Sequence, residues 1–170
     1  MRKAGEFFPI FFIAYGAIMC YTNIVLTLEQ RVDDMNILFF LTPKAEVAHV
    51  LETETLRQVI EKMEFHGYTA VPLLSSDGRY IGTITDGDLL WNLKRKNYPK
   101  EKDLETIKII EIPRRRDNQA VRITETVENL FDKVFNQNFV PVEDDEGSFI
   151  GIVTRKDVLA YMGKRLKDKK

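Results

Sequence analysis

Two short runs in this chain of 170 residues place a threonine three residues before an aspartate. Thr85 and Asp88 form the first pair, and Thr154 and Asp157 form the second. At the start of a helix, exposed backbone N–H groups favour a phosphate, to which a threonine hydroxyl can donate. A carboxylate one turn further along can accept hydrogen bonds from the two hydroxyls of a ribose. The same residue pair also forms an ordinary helix cap, so the pattern is compatible with a nucleotide site and with a purely structural role.

The two runs belong to a longer internal repeat. The offset between the copies is 69 residues (154 − 85), and three further pairs keep it: Pro72 and Pro141, Gly78 and Gly147, and Ile81 and Ile150. Several landmarks at one shared offset indicate a duplicated structural unit. Both threonine–aspartate runs should therefore occupy equivalent places in the fold.

Each copy predicts the same order of elements. A short extended piece (47–51 and 120–123) precedes an amphipathic helix, whose apolar residues recur at helical spacing: Leu56, Val59, Ile60 and Met63 in the first copy, and Val127, Leu130, Phe131 and Val134 in the second. Thr55 and Gln58 predict a capping box at the first of these helices.

After each helix, the pattern predicts two strands and a second helix. The strands span 68–74 and 80–85 in the first copy, and 139–142 and 149–154 in the second. The second helix begins at each threonine–aspartate run. The unit is therefore strand, helix, strand, strand, helix, used twice, which predicts an α+β fold.

Composition excludes several classes of protein. Hydrophobic residues make up 44% and charged residues 30%, as in a soluble globular protein. The net charge of −1 argues against a general nucleic-acid binder. A single cysteine excludes an internal disulfide and a cysteine-based zinc site, and His49 and His66 are the only histidines. No catalytic triad order, glycine-rich phosphate loop or paired-carboxylate site stands out, so we expect neither an enzyme nor a catalytic cofactor nor a metal site.

The N-terminal segment differs from the rest. Residues 7–28 carry no charge, a length that would span a bilayer as a helix. Arg2 and Lys3 would keep the N-terminus cytoplasmic and deliver the globular part outside. We expect Met35 to be the natural first residue, with a membrane anchor or a cleaved signal as alternatives. The expected division is an extraneous or anchoring segment 1–34, units 35–98 and 107–165, a linker 99–106 and a basic tail 166–170.

Taken together, the pattern resembles the CBS domain, the regulatory module named after cystathionine β-synthase. The resemblance covers roughly residues 36–165. It rests on the proline-terminated lead-ins 37–43 and 107–113, on 67–72 with its partner 138–141, and on both Gly-x-(Ile/Val)-Thr-x-x-Asp runs. Residues 46–50 and 112–116 look like free-standing bacterial members. The family implies tandem β-α-β-β-α CBS units packed as a pseudo-twofold pair (a Bateman module) with two clefts.

Members typically bind AMP, ADP, ATP or S-adenosylmethionine as regulatory ligands, and some bind cyclic di-AMP. Carried over by position, Thr85 and Thr154 would contact phosphate and Asp88 and Asp157 the ribose. The residues lining the adenine slots would be Thr83 and Ile152.

The resemblance also implies that each cleft is completed by the other copy. Tyr68, Thr69 and Ala70 would face Thr154 and Asp157, while Asn138 and Phe139 would face Thr85 and Asp88. Lys156 would favour polyphosphate in the Asp157 cleft, which is therefore expected to be the better site.

Two further observations concern additional phosphate-binding residues and the size of one side chain near the clefts. Arg115 and Arg116, in the arginine run after Pro113, are additional candidates for phosphate, because arginine matches phosphate geometry. Phe139 stands at the position where the first copy has the small residue Ala70. Its larger side chain puts ligand occupancy of the Asp88 cleft in doubt.

The leading hypothesis is a cytoplasmic, non-catalytic sensor of adenine nucleotides that signals to an unknown protein target. A homodimer is expected, with no nucleic-acid partner and no membrane contact unless residues 1–34 are genuine. The alternative is a dimerisation module whose threonine–aspartate runs are only helix caps, with apolar residues around Leu89 and Leu159 supplying the interface.

Overall fold

The computed structural model describes residues 36–167. The expectations for segment 1–34 therefore lie outside the described residues, as does the end of the basic tail. Within residues 36–167, no helix is both long and apolar enough to cross a bilayer.

The predicted mixed α+β fold, with its duplicated order of elements, is confirmed. The first repeat and its lead-in contain the 3₁₀ helices Ile37–Phe40 and Lys44–Glu46, the strands β1 (Leu41–Pro43), β2 (Val50–Leu51), β3 (Ala70–Leu74) and β4 (Tyr80–Thr85), and the helices α1 (Leu56–His66) and α2 (Asp86–Arg95). A four-residue helix, α3 (Glu101–Leu104), lies in the region predicted as a linker. The second repeat contains the 3₁₀ helix Ile109–Glu111, the strands β5 (Val121–Arg122), β6 (Phe139–Glu143) and β7 (Phe149–Thr154), and the helices α4 (Val127–Asn136) and α5 (Arg155–Lys167).

Helix α1 shows how local sequence sets the elements. The predicted capping box is present: the Gln58 backbone N–H donates to Thr55 Oγ1 at 3.3 Å, and the Thr55 N–H donates to Gln58 Oε1 at 2.8 Å. The helix ends at Gly67, whose φ of +65° is the left-handed conformation that glycine adopts without steric cost. Leu56, Val59 and Met63 face the core and are buried.

The strands form two sheets that differ at one edge. In the first repeat, β4 pairs antiparallel with β3, and β2 joins β3 in parallel. The second repeat has the same arrangement of β7, β6 and β5, but β1 adds a fourth strand that places Thr42 opposite Ile152. Within the described part of the chain, no strand pairs with the corresponding edge of β4.

The two lead-ins are exchanged between the repeats. While β1 completes the second sheet, Ile109 and Ile112 from the second lead-in are buried in the core of the first repeat. The backbone N–H of Leu56 donates to the Ile107 carbonyl at 2.8 Å, which anchors this exchange. As a result, the chain that follows each lead-in proline runs across the face of the other repeat that carries its threonine–aspartate run.

Equivalent hydrogen bonds confirm that both threonine–aspartate runs occupy matching positions. The first residue of α2, Asp86, donates its N–H to the Thr69 carbonyl at 3.0 Å, and the first residue of α5, Arg155, donates to the Asn138 carbonyl at 2.9 Å. Each contact joins a helix start to the residue just before the first strand of the antiparallel pair that precedes the helix, β3 or β6. The ends of the strands and the starts of the helices therefore meet at one place in each repeat.

Candidate functional site

Both threonine–aspartate runs form helix caps. At α2, the Asp88 N–H donates to Thr85 Oγ1 at 3.1 Å, and the Thr85 hydroxyl donates to Asp88 Oδ2 at 2.7 Å. At α5, the Asp157 N–H donates to Thr154 Oγ1 at 3.2 Å, and the Thr154 hydroxyl donates to Asp157 Oδ2. Capping alone does not distinguish the start of α2 from the start of α5. The difference lies in the surroundings of each carboxylate.

A cavity of about 270 Å³ lies beside Thr154 and is lined by both repeats and the first lead-in. We call it the Thr154 cavity. Its lining combines apolar walls with a few polar groups: Thr42, Glu46, Val47, Ala48, Tyr68, Ala70, Pro72, Asn138, Phe139, Ile152 and Thr154. Tyr68, Ala70 and Ile152 are thus brought together with Thr154, in the grouping that the resemblance to the CBS domain implied.

Three other predicted residues flank this cavity without lining it. Asp157 and Lys156 are exposed in the first turn of α5. Thr69 is exposed, and its carbonyl is occupied by the Asp86 N–H. Among the described residues, Asp157 Oδ1 accepts no hydrogen bond, so one oxygen of this carboxylate is available.

Asn138 and Phe139 are placed differently from the sequence prediction. They were expected to face Thr85 and Asp88, but both line the Thr154 cavity. The strand register explains this position, because β6 pairs with β7 so that Phe139 lies opposite Thr154. Phe139 therefore lines the Thr154 cavity, and it is Arg115 and Asp117 that occupy the other cleft.

The Asp88 cleft is closed by residues 114–118, which we call the closing segment. The backbone N–H of Arg115 donates to Asp88 Oδ1 at 3.1 Å, and the Asp88 residue is only 2% exposed. Next to it, the N–H of Thr83 donates to Asp117 Oδ1 at 2.8 Å, and Thr83 is also 2% exposed. Both oxygens of the Asp88 carboxylate and the edge of β4 are therefore occupied by the chain itself.

Asn118 fixes the far end of the closing segment. The Tyr80 hydroxyl contacts Thr83 Oγ1 at 2.7 Å and donates to the Asn118 carbonyl at 2.9 Å. Burial raises the pKa of the Tyr80 phenol above its usual value, so it stays protonated and able to donate. The Asn118 side-chain amide donates to the carbonyl of Phe139 at 2.9 Å, which ties the segment to the wall of the Thr154 cavity.

Gly82 makes this close approach possible. A Cβ at this position would lie 2.7 Å from Asp117 Cγ and 2.8 Å from Arg114 Nε, well inside van der Waals contact. Arg114 Nε and Asp117 Oδ1 are themselves 2.9 Å apart and form an ion pair against this glycine. A side chain at this position would displace the side chains of Asp117 and Arg114, so glycine lets the closing segment lie directly against β4.

The arginine run points away from the Thr154 cavity. The guanidinium of Arg115 lies over the indole of Trp91, 4.8 Å from the ring centroid, and Arg116 is exposed. Neither residue lines the Thr154 cavity. Their suggested role in phosphate binding therefore stays a prediction, and any such role would belong to the Asp88 side of the molecule.

Sequence reasoning missed the residues that decide between the two clefts. Asp117 and Asn118 follow their lead-in proline, Pro113, by the same distance as Val47 and Ala48 follow Pro43. The latter two line the open cavity, whereas the former two fill the other cleft. A comparison of these four positions could have revealed the difference.

Within residues 36–167, no three His, Cys, Asp or Glu side chains cluster as a metal site.

Comparisons with known proteins agree with this geometry. The family model for the CBS domain matches residues 40–95 and 109–164. Cyclic di-AMP receptor B of Bacillus subtilis (strain 168) is 31% identical over 133 residues, covering 75% of this chain and 86% of the relative.

Solved structures show the same fold. A crystal structure of CbpB in complex with cyclic di-AMP superposes with a TM-score of 0.74 at 23% identity, over 86% of this chain and 96% of that one. A CBS domain protein from Streptococcus pneumoniae TIGR4 gives a TM-score of 0.70 at 24% identity, over 88% and 97%. With both repeats matched by the family model and the paired architecture present, the chain belongs to the CBS-domain family and carries a pair of CBS domains.

Proposed function

We propose that this chain is a non-catalytic regulatory module that binds cyclic di-AMP in the Thr154 cavity and signals to a protein partner. The observation that carries the proposal is an open cavity between the repeats, beside a helix start with an available carboxylate oxygen. The likeness to the cyclic di-AMP receptor of Bacillus subtilis supports this ligand over AMP, ADP or ATP.

The chemistry of the lining suits an adenosine unit. Phe139, Ile152 and Val47 offer apolar surface to a purine ring. The available oxygen of Asp157 would accept from a ribose hydroxyl, while Thr154 and the start of α5 would receive a phosphate. Lys156, in the same turn, adds a positive charge for that phosphate.

The size of the cavity sets how much ligand it holds. Its volume of about 270 Å³ lies near the lower end of the range for small-molecule sites. We infer that one adenosine unit of cyclic di-AMP occupies the cavity and that the second extends beyond it. Because the Asp88 cleft is filled by the closing segment, we expect one ligand per chain.

Isothermal titration calorimetry with a matched pair of variants tests the proposal. Asp157→Asn weakens the hydrogen bond to the ribose, and we expect cyclic di-AMP affinity to fall by about tenfold or more. Asp88→Asn makes the same change in the closed cleft, and the affinity should stay near the wild-type value.

AMP, ADP and ATP are titrated in parallel, and each should bind more weakly than cyclic di-AMP. Absence of cyclic di-AMP binding to the wild-type chain contradicts the proposal. Equal losses in the two variants would contradict the assignment of the ligand to the Thr154 cavity.

Exposed apolar residues favour a second function, homodimer formation. Phe65, Leu90, Phe135 and Leu159 are 86%, 52%, 73% and 55% exposed on the helices α1, α2, α4 and α5. Leu90, rather than the buried Leu89, carries the exposed surface of α2. Phe135 and Leu159 line one apolar depression between α4 and α5, and a contiguous exposed apolar surface of this kind marks an association site.

Analytical ultracentrifugation of the wild type and of Leu159→Glu tests dimerisation. A wild-type dimer that dissociates in the variant supports it, and a wild-type monomer contradicts it. Ligand titration of both proteins separates this role from sensing.

A further inference from the structure

A tryptophan surrounded by cations lies on the outer face of α2. Trp91 is 37% exposed, with the Arg115 guanidinium 4.8 Å and the Lys94 ammonium 5.3 Å from its ring centroid. Arg95 completes the rim of this shallow depression, where its Nε donates to the Trp91 carbonyl at 3.3 Å. We call these four residues the basic patch.

The charges of the basic patch are not neutralised. None of the ion pairs among the described residues involves Lys94, Arg95 or Arg115. Two cations therefore lie at one indole ring. An anion bound beside the ring would be attracted by both charges and accept hydrogen bonds from these side chains.

The patch is specific to the first repeat. At the offset that relates the two copies, Trp91 corresponds to Ala160 and Lys94 to Gly163. Arg115 in the second lead-in likewise corresponds to Ala45 in the first. The fourth residue, Arg95, corresponds to another cation, Lys164, so the second repeat lacks only the tryptophan and the two cations at its ring.

We propose that the basic patch docks an acidic segment of a partner protein, with Trp91 and Arg115 as its anchor. The depression is open, and its lining side chains are exposed, so it does not enclose a small ligand. Tryptophan and arginine are the residues most enriched at protein-binding hot spots. The net charge of −1 disfavours a nucleic acid as the occupant.

This proposal rests on the proposed function, because it names the surface through which the module would signal. The closing segment connects that surface to the ligand site. Asn118 holds the Phe139 carbonyl in the wall of the Thr154 cavity, and Arg115, three residues earlier, carries the guanidinium of the patch. A shift of the cavity wall would therefore reach the docking surface through one short stretch of backbone.

The only tryptophan of the chain provides a direct readout. A labelled peptide of ten glutamates is titrated at about 0.15 M salt, and Trp91 fluorescence is recorded together with the anisotropy of the peptide. The Lys94→Gln, Arg95→Gln double variant removes two charges of the patch. The Arg122→Gln, Lys164→Gln double variant is its control, because it removes two exposed charges from the second repeat.

We expect saturable binding that perturbs Trp91, weakened about tenfold in the patch variant and nearly unchanged in the control. No binding, or equal weakening in both variants, would overturn the proposal. Tighter binding of a ten-nucleotide single strand or of inorganic tripolyphosphate would also overturn it.

Calorimetry with cyclic di-AMP on the same proteins keeps the two proposals distinguishable. The patch variant should bind the ligand as the wild type does. A wild type that fails to bind cyclic di-AMP yet binds the peptide would remove the proposed ligand and leave the docking surface standing.

Discussion

Replacing Asp117 with alanine should destabilise the first repeat through a single buried N–H group. The Thr83 backbone N–H, in a residue 2% exposed, would lose its acceptor at 2.8 Å. An unsatisfied buried donor costs about 1–3 kcal/mol. Loss of the ion pair with Arg114, whose members are 19% and 41% exposed, adds about 0–1 kcal/mol. We therefore expect the free energy of unfolding to fall by about 1–4 kcal/mol.

Urea unfolding followed by circular dichroism measures this change, with an unchanged m value as the sign that only stability has altered. Asp117→Asn keeps an oxygen that can accept from Thr83 and loses only the charge, so it should cost about 1 kcal/mol or less. Asp132→Ala, an exposed position on α4, is the control for removing an acid. An Asp117→Ala variant within about 0.5 kcal/mol of the wild type would refute the argument that this carboxylate satisfies a buried group.

Two further predictions concern buried and partly buried polar groups. Asn92 Oδ1 is buried without a hydrogen-bond partner among the described residues, so Asn92→Leu should raise the free energy of unfolding by about 1 kcal/mol in a thermal or urea melt. A lower melting temperature would show that this amide has a partner. Burial raises the pKa of Glu143 in the folded chain. Its neutral form therefore stabilises the fold at pH values below the unfolded pKa, and this stabilisation is lost as pH rises through the folded pKa. Glu143→Gln should therefore be more stable than the wild type at pH 7, with the difference disappearing by about pH 4, and a difference that does not change with pH would contradict this assignment.

Local sequence signals predicted much of the architecture. The spacing of Leu56, Val59 and Met63 specified α1, and Thr55 with Gln58 specified its start, because both depend on contacts within one or two helical turns. The shared offset then carried each assignment to the second copy. The pairing of Tyr68 and Ala70 with Thr154 came from the resemblance to the CBS domain.

Features that depend on long-range packing were not predicted. Pairing of β1 with β7 requires a choice between two similar sheet edges, which neither periodicity nor composition specifies. The position of Phe139 depends on strand register, which sets the cleft that a side chain enters. Closure of the Asp88 cleft depends on the orientation of the Asp117 side chain. That orientation is set by the hydrogen bond from the Thr83 N–H and by the space that Gly82 leaves.

The closing segment has a consequence for how the chain would respond to rising ligand concentration. A duplicated protein with two equal clefts could in principle fill them cooperatively, which steepens the response around a threshold. With one cleft occupied by Arg115 and Asp117, only one of the two clefts between the repeats is open within residues 36–167, and ligand binding there would follow a simple graded saturation curve. Any sharper threshold would have to arise from contacts between chains. The divergence between residues 44–48 and residues 114–118 would thus leave this duplicated protein with one ligand site per chain.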